Sequence, residues 1–307
     1  MIENSYNDYL REVILELFPR KEALLFMEES EKKRPLTIRV NGLMTRKKEL
    51  IQKLSSRGMD MENIEWCDDA LIIFNSSVPV GATPEYLAGY YIIQGASSML
   101  SVLNLDVKEN LKIIDMCAAP GGKSQYISAL MNNTGVLYSN DISDDRIKAL
   151  RSNLLRMGVT NAIVTNLDAR KLNFGLVDRV LLDAPCSGTG VISKDPSIKM
   201  SRTVDDIRKT VFRQKELILK GFDMLKKGGV MVYSTCSVLT KENEEVVTYL
   251  LTKRPNAKVV GCDVDVGRPG FPTFRGTAYH PSMSLTRRIY PHVHNMDGFF
   301  YAKIQKK

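Results

Sequence analysis

The chain has 307 residues, 44% of them hydrophobic and 25% charged, an ordinary globular balance that rules out disorder as the main state. Such a length holds about two domains and lets a chain remove roughly three quarters of its unfolded surface from water, so a core needs no disulfide or metal to hold it. Lys and Arg outnumber Asp and Glu by 43 to 35, and the net charge of +8 predicts modest affinity for polyanions. No run of about 18 apolar residues exists to span a membrane, and Met1-Ile2-Glu3-Asn4 lacks the basic and apolar regions of a signal peptide.

Residues 4–30 read as two short helices broken at Phe18-Pro19, because proline and its predecessor disfavour helix; Leu10, Val13, Ile14 and Leu17 sit at helical spacing. A run of β-formers, Leu36–Val40, follows Pro35, a polar helix over 46–57 ends at Gly58, and a strand covers roughly 70–74. This first third reads as a small α+β unit, and the turn residues Pro79, Gly81 and Pro84 mark its end, dividing the chain into 1–83 and 84–307. From about residue 110 short apolar runs alternate with helical stretches. Strands are expected at 111–116, 135–140, 162–165, 178–182 and 229–234, and helices at 123–132, 143–157, 204–226 and 241–253. Gly228-Gly229 would close the third of these helices as a C-cap does. The alternation predicts an α/β fold with a mostly parallel sheet covered on both faces, to which 299–304 would add an antiparallel edge strand. Residues 262–296, rich in Pro, Gly and His, read as a long and therefore functional loop.

The first of these strands ends at Asp115 and runs into Cys117-Ala118-Ala119-Pro120-Gly121-Gly122-Lys123, where small residues let backbone N–H groups approach a ligand at the start of a helix. The spacing matches neither G-x-x-x-x-G-K-[ST] nor G-x-G-x-x-G, so by shape alone it is a tight βα turn or a cofactor turn. Asp141 follows the second strand at the distance where an acidic residue commonly binds a ribose, Asp168 follows the third and Asp183 ends the fourth. Four strand-end aspartates, with Asp115, point to one polar crevice at the carboxyl edge of the sheet and to a nucleoside cofactor. The cysteines (Cys67, Cys117, Cys186, Cys236, Cys262) form no C-x-x-C pair, as suits a reducing compartment. Cys186 and Cys236 follow the fourth and fifth strands, which in a doubly wound sheet lie beside the first. A thiolate there can attack an electron-poor ring carbon where positive charge lowers its pKa, and Lys123, Lys194 and Arg287-Arg288 are the candidate charges. Cys67 and Cys262 read as structural. Lys32, Lys33, Arg34, Arg39, Arg46, Lys47 and Lys48 form a candidate basic face, or a solvated one. No metal is expected, since His280, His292, His294 and Cys262 match no zinc spacing.

Three loops carry a family resemblance. Asp115-Met116-Cys117-Ala118-Ala119-Pro120-Gly121-Gly122-Lys123, Asp183-Ala184-Pro185-Cys186-Ser187-Gly188-Thr189-Gly190 and Ser234-Thr235-Cys236-Ser237 resemble signature loops of the Nol/Nop/Sun family, S-adenosylmethionine-dependent RNA cytosine-5 methyltransferases. Residues 81–89, Val191-Ile192-Ser193-Lys194-Asp195-Pro196 and residues 290–300 resemble its nucleolar branch, which modifies large-subunit ribosomal RNA during ribosome biogenesis. The resemblance spans about residues 4 to 307. It implies a class I, Rossmann-like methyltransferase domain behind a small N-terminal α+β RNA-binding unit. It also implies a cofactor site made of Cys117, Ala118, Ala119, Pro120, Gly121, Gly122, Lys123 and Arg146, with Asp141 on the ribose and Asp168 on the adenine amino group. By the family's pattern Cys236 attacks C6 of cytosine, which makes C5 enamine-like enough to take a methyl group, and Cys186 assists product release. Asp183 would meet the base, where a protonated carboxyl can hydrogen-bond N3, or the methionine end of the cofactor. RNA would be met by Arg39, Lys194, Arg287, Arg288, His292 and His294, with Tyr290 beside them.

The nucleolar branch implies work in the nucleus and nucleolus; it usually carries a long charged N-terminal extension, whereas this chain begins close to the expected core. DNA cytosine-5 methyltransferases place the nucleophile in a Pro-Cys loop, which would make Cys186 the attacker. The Thr235-Cys236 loop favours Cys236, and nothing in the chain resembles a DNA target-recognition domain. Two alternatives remain: a transfer-RNA methyltransferase of the same family, and a ribosome-assembly factor whose main role is binding pre-ribosomal RNA.

Overall fold

Helices Asp8–Leu17 and Arg20–Glu31 open the fold, separated at Phe18-Pro19. The computed structural model describes residues 2–307, so Met1 of the expected N-terminal unit lies outside it. Next come β1 (Leu36–Val40), the helix Lys47–Ser55, β2 (Met59–Ile64), β3 (Cys67–Ser76) and β4 (Tyr91–Ile93). The four strands form an antiparallel sheet in the order β2-β3-β1-β4, over a core of Ile38, Val40, Leu50, Leu54, Leu71, Ile73 and Tyr91. β3 is longer than the expected strand at 70–74, and β2 and β4 were not expected: β2 reads Met-Asp-Met-Glu-Asn-Ile, poor in β-branched residues, and β4 is three residues long. Because Ile38 pairs with Ile93 and Val40 with Tyr91, a division at residue 83 would strip this sheet of its fourth strand.

The expected N-terminal unit is also split at its other end. Leu10, Val13, Ile14, Phe26 and Met27 of the two helices share a core with Val180, Phe222 and Phe300 of the large sheet and its helices. Asn7 fixes the attachment: its backbone N–H donates to the Lys199 carbonyl (2.9 Å) and its side chain to the Arg202 carbonyl (2.9 Å).

The large sheet contains β5 (Lys112–Asp115), β6 (Val136–Asn140), β7 (Ala162–Thr165), β8 (Val177–Asp183) and β9 (Leu225–Thr235), parallel in the order β7-β6-β5-β8-β9. Successive side chains of β8 and β9 point to opposite layers: Val180, Leu182, Met231 and Tyr233 to one, Leu181 and Val232 to the other. Helices Val204–Asp223 and Glu244–Lys253 cover the first layer, Ala96–Leu103 and Gly122–Leu130 the second, which is why these strands read as continuous apolar runs. The helix Val204–Asp223 stops earlier than expected. Met224 is its C-cap, and Gly228 (φ 78°) serves instead the bulge where the register moves from Val177–Leu225 to Arg179–Val230.

After β9 the chain forms β10 (Ala257–Val260), β11 (Arg268–Pro269), the ribbon β12 (Thr273–Phe274) with β13 (Thr277–Ala278), β14 (Arg287–Ile289) and β15 (Phe299–Lys306). β15 runs antiparallel beside β9 but is not the edge, because β14 and β10 pair with successive parts of its far side. Residues 262–296 are therefore a folded segment where a loop was expected; its strands are two or three residues long, too short for a periodic signal. Its anchor is Arg288, 1% exposed, with a two-pronged salt bridge to the fully buried Glu244 (2.5 and 2.6 Å). Arg288 is thus not an RNA contact. Removing one member of such a pair strands a buried charge at about 3–5 kcal/mol. Urea unfolding of Arg288→Met should show a loss of that size, with much of it recovered in Arg288→Met/Glu244→Leu; unchanged stability would contradict the assignment.

Candidate active site

The chain leaves β5 in one direction toward β6 and β7 and returns on its other side as β8 and β9, so the crevice above the carboxyl ends of β5 and β8 is the switch point of the sheet. A cavity of about 440 Å³ opens there, lined by Met116, Cys117, Ala119, Asp141, Ile142, Arg146, Asp168, Arg170, Asp183, Pro185, Cys186, Arg213 and Cys236. Its volume is that of a small-ligand site. The first turn, 116–121, passes through Gly121 at φ 107°, where only glycine is unstrained, into the helix Gly122–Leu130. Asp141 holds this turn: its carboxylate accepts from Ala119 N (3.1 Å) and Ser143 N (3.0 Å), with Arg146 3.5 Å away. Asn140, which sequence reading passed over, donates to the carbonyls of Met116 (3.1 Å) and Leu167 (2.9 Å) and so ties three strand ends together. Asp168 is gripped by Arg170 (2.7 Å), which holds its carboxyl down at about 2. Asp115 does not line the cavity. It is buried below the turn, accepts from Ser124 (2.7 Å), and burial pushes its carboxyl up to about 7.

Asp183 lies between two donors, Lys123 Nζ (2.7 Å) on one oxygen and Ser234 Oγ (2.8 Å) on the other. Lys123 also donates to Ser98 Oγ (2.6 Å). Beside them the sulfurs of Cys186 and Cys236 stand 3.1 Å apart as free thiols. The contact with Cys236, and then burial, raises the pKa of Cys186; desolvation also pushes up the thiol of the half-buried Cys117. The two reactive-loop cysteines are set by a residue that sequence reading missed. Glu242, fully buried, accepts from Ser187 N (2.8 Å), Ser187 Oγ (2.5 Å), Gln214 Nε2 (3.1 Å) and Ser237 Oγ, so one carboxylate ties the loop after β8 to the loop after β9. In the sequence, Glu242-Asn243-Glu244-Glu245 reads as an acidic helix start, and nothing in the spacing says that the first three side chains turn inward.

Other expected site residues lie elsewhere. Arg39 is fully buried. It donates to Gln94 (2.8 Å), the Gly122 carbonyl (3.0 Å) and Gln125 (2.5 Å), and packs 4.1 Å from the Tyr126 ring centre, binding the small sheet to the helix after the cofactor turn. Arg287 is held by Asp265 and by two carbonyls (2.8 Å each). His292, its side chain 2% exposed, meets Glu22 at 3.0 Å within a cluster of Phe18, Phe26 and the buried Tyr290; His294 accepts from Tyr290 N (2.9 Å). Burial lowers the pKa of both histidines. Arg39, Arg287 and His292 are structural rather than nucleotide contacts, because they are enclosed or paired within the protein, although Arg39 Nη1 and His292 Nδ1 find no partner; His294 stays half-buried at the edge of a second cleft. Lys194 remains half-exposed on Asp297 (2.6 Å). The cations at the cavity itself are Arg146, Arg170 and Arg213, in place of Lys194, Arg287 and Arg288. The basic run in the small sheet is interrupted as well, with Lys32 paired to Glu29 and Arg39 inside. Among the described residues no three His, Cys, Asp or Glu side chains form a metal cluster, and no helix is long and apolar enough to cross a membrane.

The family model for 16S rRNA methyltransferase RsmB/F matches residues 102–305, and that for the N-terminal domain of 16S rRNA methyltransferase RsmF matches 7–96. A Mus musculus protein named 28S rRNA (cytosine-C(5))-methyltransferase is 50% identical over 98% of this chain, which spans 39% of that relative's length. A methyltransferase homologue from Pyrococcus horikoshii superposes with a TM-score of 0.91 at 33% identity, covering 100% of this chain and 99% of its own. NSun6 from the same organism, solved with SFG, gives 0.89 at 26%, covering 100% and 99%.

Asp115 offers a test of the buried floor of the site. The folded protein keeps its proton to about pH 7 while the unfolded chain releases it near 3.8, so stability falls as pH rises across that window and the full loss is present above it. In Asp115→Asn the decline between pH 4 and 7, followed by urea unfolding, should shrink by roughly 4 kcal/mol. An identical decline in both proteins would show that the carboxyl is ionised in the fold.

Proposed function

This chain belongs to the RsmB/F family of rRNA methyltransferases, and from that premise we propose that it methylates C5 of a cytosine in RNA with S-adenosylmethionine as donor. The observation that carries the reading is the pair of free thiols 3.1 Å apart in the wall of a cavity whose far side is made of strand-end carboxylates. The cavity suits the donor: Asp141 and Asp168 offer oxygens to ribose and adenine, Pro185 and Leu217 offer apolar wall, and the carboxylate of Asp183 faces a cationic methionine end. SFG, bound by the Pyrococcus NSun6, is an analogue of that donor. When bound, S-adenosylmethionine supplies a methyl group on a sulfonium.

The chain's own residues do the rest. Cys236 passes its proton toward N3 of the cytosine and bonds through sulfur to C6, and the displaced electron pair makes C5 nucleophilic. Asp183, fixed by Lys123 and Ser234, accepts from the exocyclic amino group and supports the proton that N3 gains. After methyl transfer C5 carries both a methyl and a hydrogen. Cys186, having released its own proton to solvent at this stage, takes that hydrogen as a proton; the electrons left behind expel the Cys236 sulfur from C6, and the proton on N3 returns to that sulfur. Large-subunit ribosomal RNA is the substrate that the Mus musculus relative's name favours, which would place the enzyme in the nucleus and nucleolus.

Cys236→Ala should lose methyl transfer by several orders of magnitude while its RNA affinity stays within a few-fold. Cys186→Ala should accumulate a denaturant-resistant protein–RNA adduct that is absent in Cys186→Ala/Cys236→Ala. Methyl transfer retained in Cys236→Ala would overturn the assignment of roles.

A further inference from the structure

A second cleft of about 430 Å³ lies between the small sheet and the large domain, away from the cofactor cavity. One side is apolar, built from Pro35, Leu36, Ile64, Ile72, Ile93 and the half-buried Trp66, the only tryptophan in the chain. The other side is polar and basic. Lys33 is exposed and makes no ion pair or hydrogen bond among the described residues, and Lys194 reaches in on Asp297. Two residues in the wall carry buried polar atoms with no partner, Gln94 Nε2 and Asp297 Oδ1, one a donor and one an acceptor. They flank Gly95, where an added Cβ would come within 3.0 Å of Asp297 Oδ2. Unmatched buried groups are costly, and a ligand that offers both an acceptor and a donor relieves them.

The cleft and the reactive thiol share two loops. Gly190 N–H donates to the Cys236 carbonyl (2.8 Å) and Gly298 N–H to the Gly190 carbonyl (2.8 Å). Lys194 lies four residues beyond Gly190, and Asp297 immediately precedes Gly298. Gly190 and Gly298 approach so closely that a Cβ on Gly190 would fall 2.2 Å from the Gly298 carbonyl oxygen.

We propose that this cleft seats a nucleotide of the substrate RNA that flanks the target cytosine, its base laid against Trp66 and its phosphates met by Lys33 and Lys194. The inference rests on the methyltransferase reading above and adds where the strand runs beside the site. A base has the flat apolar face that the wall fits and the donor and acceptor edge that Gln94 and Asp297 lack, while the phosphate supplies the charge that Lys33 faces. An apolar peptide would leave Lys33 without a counterion, so RNA is favoured over a protein segment.

Because Trp66 is the sole tryptophan, its emission reports directly on the cleft. The chain is titrated with a short single-stranded RNA carrying one cytosine, with affinity measured in parallel by filter binding and methyl transfer by mass spectrometry of the RNA. RNA should quench Trp66 emission over the same concentration range as it binds, and S-adenosylmethionine alone should not. Trp66→Ala should bind RNA roughly 5- to 100-fold more weakly with unchanged affinity for S-adenosylmethionine, and Trp66→Phe should recover most of the loss. An abasic residue at one flanking position should weaken binding to the wild type and have no further effect on Trp66→Ala. RNA that is bound and methylated with Trp66 emission unmoved, and at equal affinity in Trp66→Ala, would overturn the proposal and leave the cleft to another occupant. Absence of both RNA binding and methyl transfer would overturn the methyltransferase reading beneath it.

Discussion

Two thiols on loops from adjacent strands must be kept within 3.1 Å of each other, and the rest of the site is arranged around a single buried carboxylate that holds those loops. Glu242 takes two hydrogen bonds from Ser187, next to Cys186, and one from Ser237, next to Cys236. Gln214, on the helix Val204–Asp223, donates both to Glu242 (3.1 Å) and to the Pro185 carbonyl (2.9 Å), so the same network reaches the layer of helices under the sheet. A carboxylate with no solvent contact is tolerable only when its lone pairs are filled, and here four donors fill them. The arrangement converts the charge penalty of burial into a constraint on sulfur position. Parallel strands β8 and β9 bring the loops side by side, and Glu242 sets their final spacing.

The small sheet is tied to this site by polar bonds as well as by a shared apolar cluster in which Ile64, Cys67 and Ala70 meet Leu100, Tyr126 and Leu181. Arg39 and Asn41 project from β1 and its end into the helix Gly122–Leu130: Arg39 bonds the Gly122 carbonyl and Gln125, and Asn41 accepts from Gln125 Nε2 (2.8 Å) while donating to the carbonyls of Gly89 and Met157 (2.8 Å each). That helix begins directly after the cofactor turn and carries Lys123, the partner of Asp183. Anything that shifts the small sheet therefore acts on the residues that frame the base. Burial lowers the pKa of Arg39 to about 10, which leaves it a cation at neutral pH and keeps these bonds charge-assisted.

The parts of the molecule legible in the sequence were those where chain order alone sets position. Strand–helix alternation gave the parallel order, and strand ends gave Asp141, Asp168, Asp183, Cys186 and Cys236 in one cavity. Side-chain burial was not legible. Arg39, Arg288 and His292 look like ligands for RNA in a list of residues, because a charge in sequence carries no sign of the partner that neutralises it; Gln125, Glu244 and Glu22 are 86, 44 and 270 positions away. Glu242 was hidden for the converse reason, since an acidic residue near a helix start has a sufficient local explanation. The short strands β4 and β11–β14 pair through backbone and leave no periodicity to read.

The central claim is that the Cys236 sulfur, not that of Cys186, forms the bond to the base. It is tested most directly with RNA in which the target cytosine carries fluorine at C5. Fluorine cannot leave as a cation, so the adduct formed after methyl transfer cannot collapse, and the enzyme is held on its RNA through the attacking atom. Proteolysis and mass spectrometry of the trapped complex then identify the linked residue. The account predicts a single modified peptide with the nucleotide on Cys236. Linkage to Cys186, with Cys236 unmodified, would contradict it.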